Sequence, residues 1–177
     1  MPAASPAGPT RRDPRLLWIA AAVLLAARIV LGIVEQRNPP KLPDLMMWVE
    51  PAEAVAVAQR TGRPILYDFT ADWCAPCQEM RQEVFAQERY AQALGHLVVP
   101  VRVIDRQQEE GRNSPVVDSL QQAHKITGFP TLVIVGADGK VVDQLVGFPG
   151  SDAVLSWATA TARKTHVKDA GVKLQFP

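Results

Sequence analysis

Two cysteines separated by two residues, Cys74 and Cys77 in Asp68-Phe-Thr-Ala-Asp-Trp-Cys-Ala-Pro-Cys77, are the side chains best suited to covalent chemistry here. They fall where a run of strand character ends and a helix is expected to begin. At such a junction the free N–H groups of the first turn and the positive end of the helix dipole face the Cys74 sulfur, and both favour its thiolate. The effect matters because a thiol with a pKa near 8.5 is about 3% ionised at pH 7, whereas one near 6.5 is about three-quarters ionised. Ala75 and Pro76 supply the spacing that lets one helical turn bring the second sulfur beside the first. Cys77 could then attack a mixed disulfide formed at Cys74 and release the partner in its reduced form.

A Cys-x-x-Cys pair also fits half a zinc site or a structural disulfide, so its surroundings have to discriminate. The three histidines, His96, His124 and His166, are scattered without ligand spacing and are expected at the surface. Gln78 follows Cys77 where haem attachment would need histidine. Asp68 interrupts the apolar run Ile65-Leu-Tyr-Asp-Phe69, and a carboxylate buried there should have its pKa raised toward neutrality, where it can move protons. The expectation is that Asp68 accepts the Cys77 proton through a water; the alternative is a loop cap or an arginine pair. In Gly128-Phe-Pro-Thr131 a proline directly precedes a strand, which requires the chain to turn, but local sequence leaves the isomer of the Phe129-Pro130 bond open.

The elements that must position these residues follow from periodicity and turn chemistry. Met46–Val49 reads as a short strand, and Glu53–Arg60 as a helix opened by Pro51 and closed by Thr61-Gly62. Pro64–Phe69 has the near-continuous apolar character of a central strand covered on both faces. Helices are predicted over Gln78–Val84 and Gln87–Leu94 with a break around Phe85-Ala86, followed by a strand over Leu97–Ile104 in which Pro100 marks a bulge or an early irregularity. Arg106–Ser114 is polar and turn-rich, a surface loop or a helix-entry insertion, and Pro115–Lys125 reads as a helix. Thr131–Val135 and Val141–Val146 flank Gly136-Ala-Asp-Gly-Lys140, the signature of a hairpin, and Ser151 or Asp152 is expected to cap a last helix over Ala153–Lys164. The order β-α-β-α-β-α-β-β-α implies an α/β fold with a central mixed sheet between helix layers.

Ahead of this domain, Arg11, Arg12 and Arg15 precede the apolar run Leu16–Val34, which as a helix would reach about 28 Å, close to the thickness of a bilayer core. Three readings stand: an uncleaved signal anchor, a cleaved signal peptide using the stretch Leu16–Ala27, and a buried soluble helix. Arg28 within the run is costly in lipid unless it snorkels, and Leu25 would occupy a position where cleavage needs a small residue. The resulting organisation is a disordered cytoplasmic tail at 1–15, a transmembrane signal anchor at 16–34, a Pro-rich linker at 35–44, the α/β domain at 45–165 and a tail at 166–177, with everything after the anchor on the exported, periplasmic side. The arginines favour this orientation, although Arg37 and Lys41 weaken the bias. With 19 Lys+Arg against 18 Asp+Glu, the net charge of +1 gives no electrostatic basis for binding nucleic acid. Two cysteines in 177 residues exclude a disulfide scaffold, so the domain must be held by its core.

Trp73-Cys-Ala-Pro-Cys77, the upstream Asp68 and Gly128-Phe-Pro-Thr131 before a hairpin together resemble the thioredoxin superfamily over roughly Trp48–Lys164. Tyr67-Asp-Phe-Thr-Ala-Asp-Trp-Cys74 and the broken helix after Cys77 are most similar to the exported C-terminal domain of DsbD-type thiol:disulfide interchange proteins. The resemblance implies that Cys74 is the nucleophile, that Cys77 resolves, that Cys74–Cys77 is a redox disulfide and that Asp68 is the buried acid/base. It further implies a cis Pro130 whose loop lies against Cys74, a Trp73 packed beside the site, and a Phe129-Pro130-Thr131 backbone that pairs with a partner chain in extended form. Two family features are missing: no proline follows Cys77 before Pro100, and no lysine accompanies the aspartate. Val101 and Val103 occupy the region where that lysine would lie, with Arg102 expected on the opposite face.

The function expected is that of a membrane-anchored thiol–disulfide oxidoreductase with no metal or organic cofactor. It would act as a reductant on protein partners and exchange electrons with a separate membrane protein. Ala75 and Pro76 influence the potential without fixing its direction. The alternatives are a dithiol module that captures Cu(I) for delivery and a fold-only interaction domain with a structural disulfide.

Overall fold

The computed structural model describes residues 14–37 and 43–172. The tail before Pro14, residues 38–42 of the linker and the last five residues lie outside the described residues. The chain divides into two units, Met1–Lys41 and Leu42–Pro177.

In the first unit, helix α1 spans Pro14–Arg37, with proline at its start, where the missing N–H costs nothing. It therefore takes in Glu35–Arg37, which were expected in the linker. Leu17, Trp18, Ile19, Val23 and Leu24 are exposed. No helix among the described residues is long and apolar enough to cross a membrane.

The second unit is built on a four-stranded sheet in the order β2-β1-β3-β4: β1 (Ile65–Ala71), β2 (Val99–Asp105), β3 (Thr131–Val135) and β4 (Val141–Val146). β1 and β2 are parallel and are joined by the crossover α3 (Ala75–Met80), a π-helical turn (Arg81–Phe85) and α4 (Glu88–Leu97). The helical break falls at Ala86-Gln87, next to its predicted place. β1 and β3 are antiparallel, as are β3 and β4, so the sheet is mixed as expected.

Alternation along the strands assigns the two faces. Leu66, Leu132 and Ile134 pack with Met80, Val84, Phe85, Leu94, Val154 and Ala158, contributed by the crossover helices and by α7 (Ser151–Val172). Ile65, Tyr67, Phe69, Val101, Val103 and Val133 pack on the other side with Ala54 and Ala58 of α2 (Pro51–Thr61) and with Val117 and Leu120 of α6 (Pro115–Ala123). Because both faces are covered, all seven residues of β1 are buried. Gly62 closes α2 at φ +68°, a left-handed conformation that favours glycine.

Several expectations need correction. Met46–Val49 is not a strand: the Val49 N–H donates to the Pro100 carbonyl at 2.8 Å, but Pro100 has no N–H to return and extend a ladder. The segment is instead a strap along the β2 edge, also tied by the Leu45 N–H to the Phe85 carbonyl. Pro100 makes no bulge; the irregularity lies at Ile134/Val135 in the hairpin. The polar segment after β2 contains a short helix, α5 (Gln107–Glu110). α7 starts with the Val154 N–H donating to the Gly150 carbonyl, while Asp152 accepts a hydrogen bond from the Tyr90 hydroxyl. It also runs past Lys164 to Val172. His124 is not a free surface side chain, since its ring lies 5.2 Å from Tyr67 and 5.7 Å from Phe69.

Leu132 is fully buried at the centre of the sheet. Leu132→Ala is expected to cost about 2–5 kcal/mol in denaturant unfolding, the range for truncating a packed core leucine; a loss below about 1 kcal/mol would contradict this packing.

Candidate functional site

β1 ends at Ala71, and three residues later Cys74 is the N-cap of α3, in extended conformation at φ −82° and ψ 106°. The turn is closed by the Cys74 N–H donating to the Ala71 carbonyl at 3.3 Å and by the Cys77 and Gln78 N–H groups donating to the Cys74 carbonyl at 3.1 Å each. The Cys74 sulfur accepts the Cys77 N–H at 3.2 Å, the helix-start contact that the sequence anticipates. The two cysteines form a disulfide with their Cα atoms 5.2 Å apart.

Both sulfur-bearing residues are nearly enclosed, Cys74 being 3% and Cys77 2% exposed. Phe129 packs over them together with Ala71. Trp73, 48% exposed, meets the Phe129 ring edge-on at 5.9 Å. Ala75 and Pro76 lie on the surface of the motif. The Phe129-Pro130 peptide is cis. The Pro130 carbonyl is already taken by the Gly147 N–H at 2.8 Å, and Thr131 is buried in β3 between β1 and β4. Of the three residues expected to receive an extended partner, Phe129 and Pro130 precede the sheet and Thr131 is its first residue in β3. On the other side of the motif, Asp72 forms ion pairs with Arg81 at 3.5 Å and Arg106 at 2.5 Å, and Gln78 Nε2 donates to the Asp72 carbonyl at 2.9 Å.

Asp68 is 1% exposed in the middle of β1. Contrary to the expected orientation, Arg102 lies on its side of the sheet: the parallel register pairs Asp68 with Arg102, and paired residues on adjacent strands project to the same face. Val101 and Val103 pair with Tyr67 and Phe69 and occupy the opposite face. Arg102 Nε donates to Asp68 Oδ2 at 3.3 Å, while Oδ1 is buried without a partner. Burial pushes the Asp68 pKa from 3.8 to about 6; Arg102 and Arg81 oppose the rise and Asp44 adds to it.

Reasoning from sequence missed three residues of this site: Arg102, Asp44 and Trp48. Asp44 ion-pairs with Arg102, whose guanidinium lies over the Trp48 ring at 3.9 Å. The signal for Arg102 was present, because it is the one charged residue inside the apolar run Val98–Ile104, just as Asp68 is in its own strand. Among the described residues, no group of three or more His, Cys, Asp or Glu gathers in metal-binding geometry.

The pattern of a thioredoxin-like domain matches residues 51–162. The chain is 30% identical over 133 residues to disulfide bond reductase DsbH of Chlamydia pneumoniae, a match covering 72% of this chain and 79% of that protein. It is 33% identical over 85 residues to the thiol:disulfide interchange protein DsbD of Salmonella paratyphi A, covering 48% of this chain but only 14% of that much longer protein. The structure of the Neisseria meningitidis DsbD C-terminal domain in its oxidised form superposes with a TM-score of 0.52 at 26% identity, over 62% of this chain and 90% of that one.

The raised pKa of Asp68 has a consequence for stability. The native state holds this proton more tightly than the unfolded chain, so stability falls as pH rises from about 4 to about 6 and the loss persists above that range. The gap between 3.8 and about 6 corresponds to about 3 kcal/mol. Asp68→Asn is therefore expected to stabilise the oxidised domain by up to about that amount at pH 8 and not at pH 3.5, as read by urea unfolding at both values. An equal effect at the two pH values would show that the carboxylate does not titrate in this way.

Proposed function

The chain belongs to the thioredoxin-like domain family, and from that premise we propose that it is a membrane-anchored reductant of protein disulfides on the exported side of the cytoplasmic membrane. The observation that carries this reading is the Cys74–Cys77 disulfide at the start of α3, enclosed by Phe129 and carried on the same strand–helix unit as a buried carboxylate.

In its reduced form, the Cys74 thiolate attacks one sulfur of a partner disulfide. A Cys74–partner S–S bond forms as the partner S–S bond breaks, and the partner's other sulfur leaves as a thiolate that takes a proton from solvent. Cys77 then gives up its S–H proton to Asp68, through a water, and attacks the Cys74 sulfur. The Cys74–Cys77 bond forms and the second partner sulfur departs. Two electrons have passed to the partner. With a pKa of about 6, Asp68 is mainly ionised at neutral pH and ready for that proton. The resulting disulfide is the form seen here, and returning it to the dithiol requires a second dithiol protein in or at the membrane.

Partner docking uses Trp73, Ala75, Pro76 and the Phe129 end of the cis-Pro130 loop, which surround the enclosed sulfurs. Thr131 holds that loop in place, its hydroxyl donating to the Gly128 carbonyl at 2.8 Å. The anchor is proposed from the sequence, from the apolar run Leu16–Val34 and the arginines before it, while no helix among the described residues is by itself long and apolar enough to cross a membrane. Reduction is preferred over oxidation through the likeness to a protein named disulfide bond reductase.

Cys77→Ser in the full chain is expected to accumulate mixed disulfides through Cys74, visible as adducts on non-reducing gels that vanish with dithiothreitol, whereas Cys74→Ser abolishes both adducts and turnover. The reduction potential of the pair is expected near or below about −250 mV; a value above about −150 mV would make the protein an oxidant and overturn the direction. For the anchor, the full chain is expected to stay in the membrane pellet after alkaline carbonate washing and to be digested by protease added to the exported side. Release by carbonate, or protection from that protease, would refute it.

A further inference from the structure

Asp44 lies 30 residues ahead of the cysteine motif, yet it is bonded to the cation that contacts the buried acid. Its Oδ2 receives Arg102 Nη1, and its Oδ1 receives Trp48 Nε1 at 2.8 Å and the Met46 N–H at 3.3 Å. One carboxylate thus orients both the guanidinium and the indole beneath it, whose ring lies 3.9 Å from the Arg102 carbon. Phe85 lies 5.5 Å from that carbon and meets Trp48 edge-on.

The result is an incomplete ion pair at Asp68. A guanidinium and a carboxylate free to settle on one another favour two parallel hydrogen bonds. Here there is one, from Nε, and the atoms that would make a second are both buried and unpartnered: Arg102 Nη2 and Asp68 Oδ1. Leaving such groups unsatisfied is costly, so something must hold the guanidinium where it is. The attachment to Asp44 and the stacking on Trp48 do so.

We propose that Asp44 is a positioning residue of the redox centre: by sharing the Arg102 guanidinium, it prevents a complete Arg102–Asp68 pair and keeps the buried carboxylate able to take up and return a proton. The proposal rests on the reading of Asp68 as the proton acceptor for Cys77. The other groups facing Asp68 are Arg102 from β2 and Arg81 from the π-helical turn, and its partner in register on β3 is the uncharged Leu132. The strap that follows the linker is thereby part of the chemistry of the domain and not only a cover for its edge.

The test uses the full chain. Titrating the Asp68 carboxyl by 13C NMR in the oxidised protein isolates the acid from the thiols, and the pH–rate profile of disulfide reduction reports its use. Asp44→Asn keeps the shape and an acceptor for Trp48 while removing the charge, and it is expected to lower the Asp68 midpoint by about half a pH unit or more, moving the acid limb of the rate profile the same way. Arg102→Met is expected to raise the midpoint. Asp138→Asn, in the exposed hairpin turn, should change neither. If Asp44→Asn melts like the parent and leaves the midpoint and the acid limb unmoved, while Asp68→Asn flattens that limb, the positioning role is wrong and the acid/base reading stands. If Asp68→Asn itself leaves the profile unchanged, the acid/base reading falls and the proposal falls with it.

Discussion

A carboxylate placed inside a strand covered on both faces is the constraint around which the rest of this domain is arranged. Asp68 is shut away from bulk solvent, so its charge is met from the neighbouring strand, and the parallel register of β1 with β2 supplies Arg102 at the paired position. That register depends on the crossover through α3, the π-helical turn and α4, which carries the chain across one face and returns it parallel. The same crossover opens with the cysteine motif. The acid, its cation and the dithiol are therefore set by one supersecondary unit, and a shift of register by one residue would turn Arg102 to the opposite face and bring a valine against the carboxylate.

The dithiol shows a related compromise between reactivity and protection. At the N-cap of α3 the Cys74 sulfur faces a backbone donor, which favours a thiolate, while Phe129 and Trp73 limit what can approach it. The cis-Pro130 loop contributes this cover from a distant part of the sequence, and its carbonyl is fastened to Gly147 beyond the hairpin.

Legibility in the sequence followed the range of the interactions. The hairpin strands Thr131–Val135 and Val141–Val146 were readable to the residue because an Asp-Gly turn and β-branched runs are local signals. The helix opened by Pro51 and closed by Gly62 was readable for the same reason. Met46–Val49 has the composition of a strand but not the pairing, since whether an edge segment forms a ladder depends on the donors its neighbour offers, and here the neighbour is Pro100. Arg102 was misplaced because the face on which a residue of β2 lies is set by its register against β1, a relation between segments more than 30 residues apart that periodicity within either strand does not encode.

What the sequence determined by itself was the chemistry available: a dithiol at the start of a helix, a carboxylate too deep in an apolar run to be ordinary, and a proline that must turn the chain before a strand. These are statements about residue types and spacings along a few turns of backbone, and local physical chemistry suffices to make them. What only the tertiary structure decided was which charges meet: that Arg102 faces Asp68, that Asp44 and Trp48 reach back from the strap to hold it, and that Phe129 closes over the cysteines. Hydrogen-bond and packing energies fall off within a few ångströms and Coulomb energy weakens with separation in space, irrespective of distance along the chain, so the partners of a buried charge become known only once the fold has brought them together.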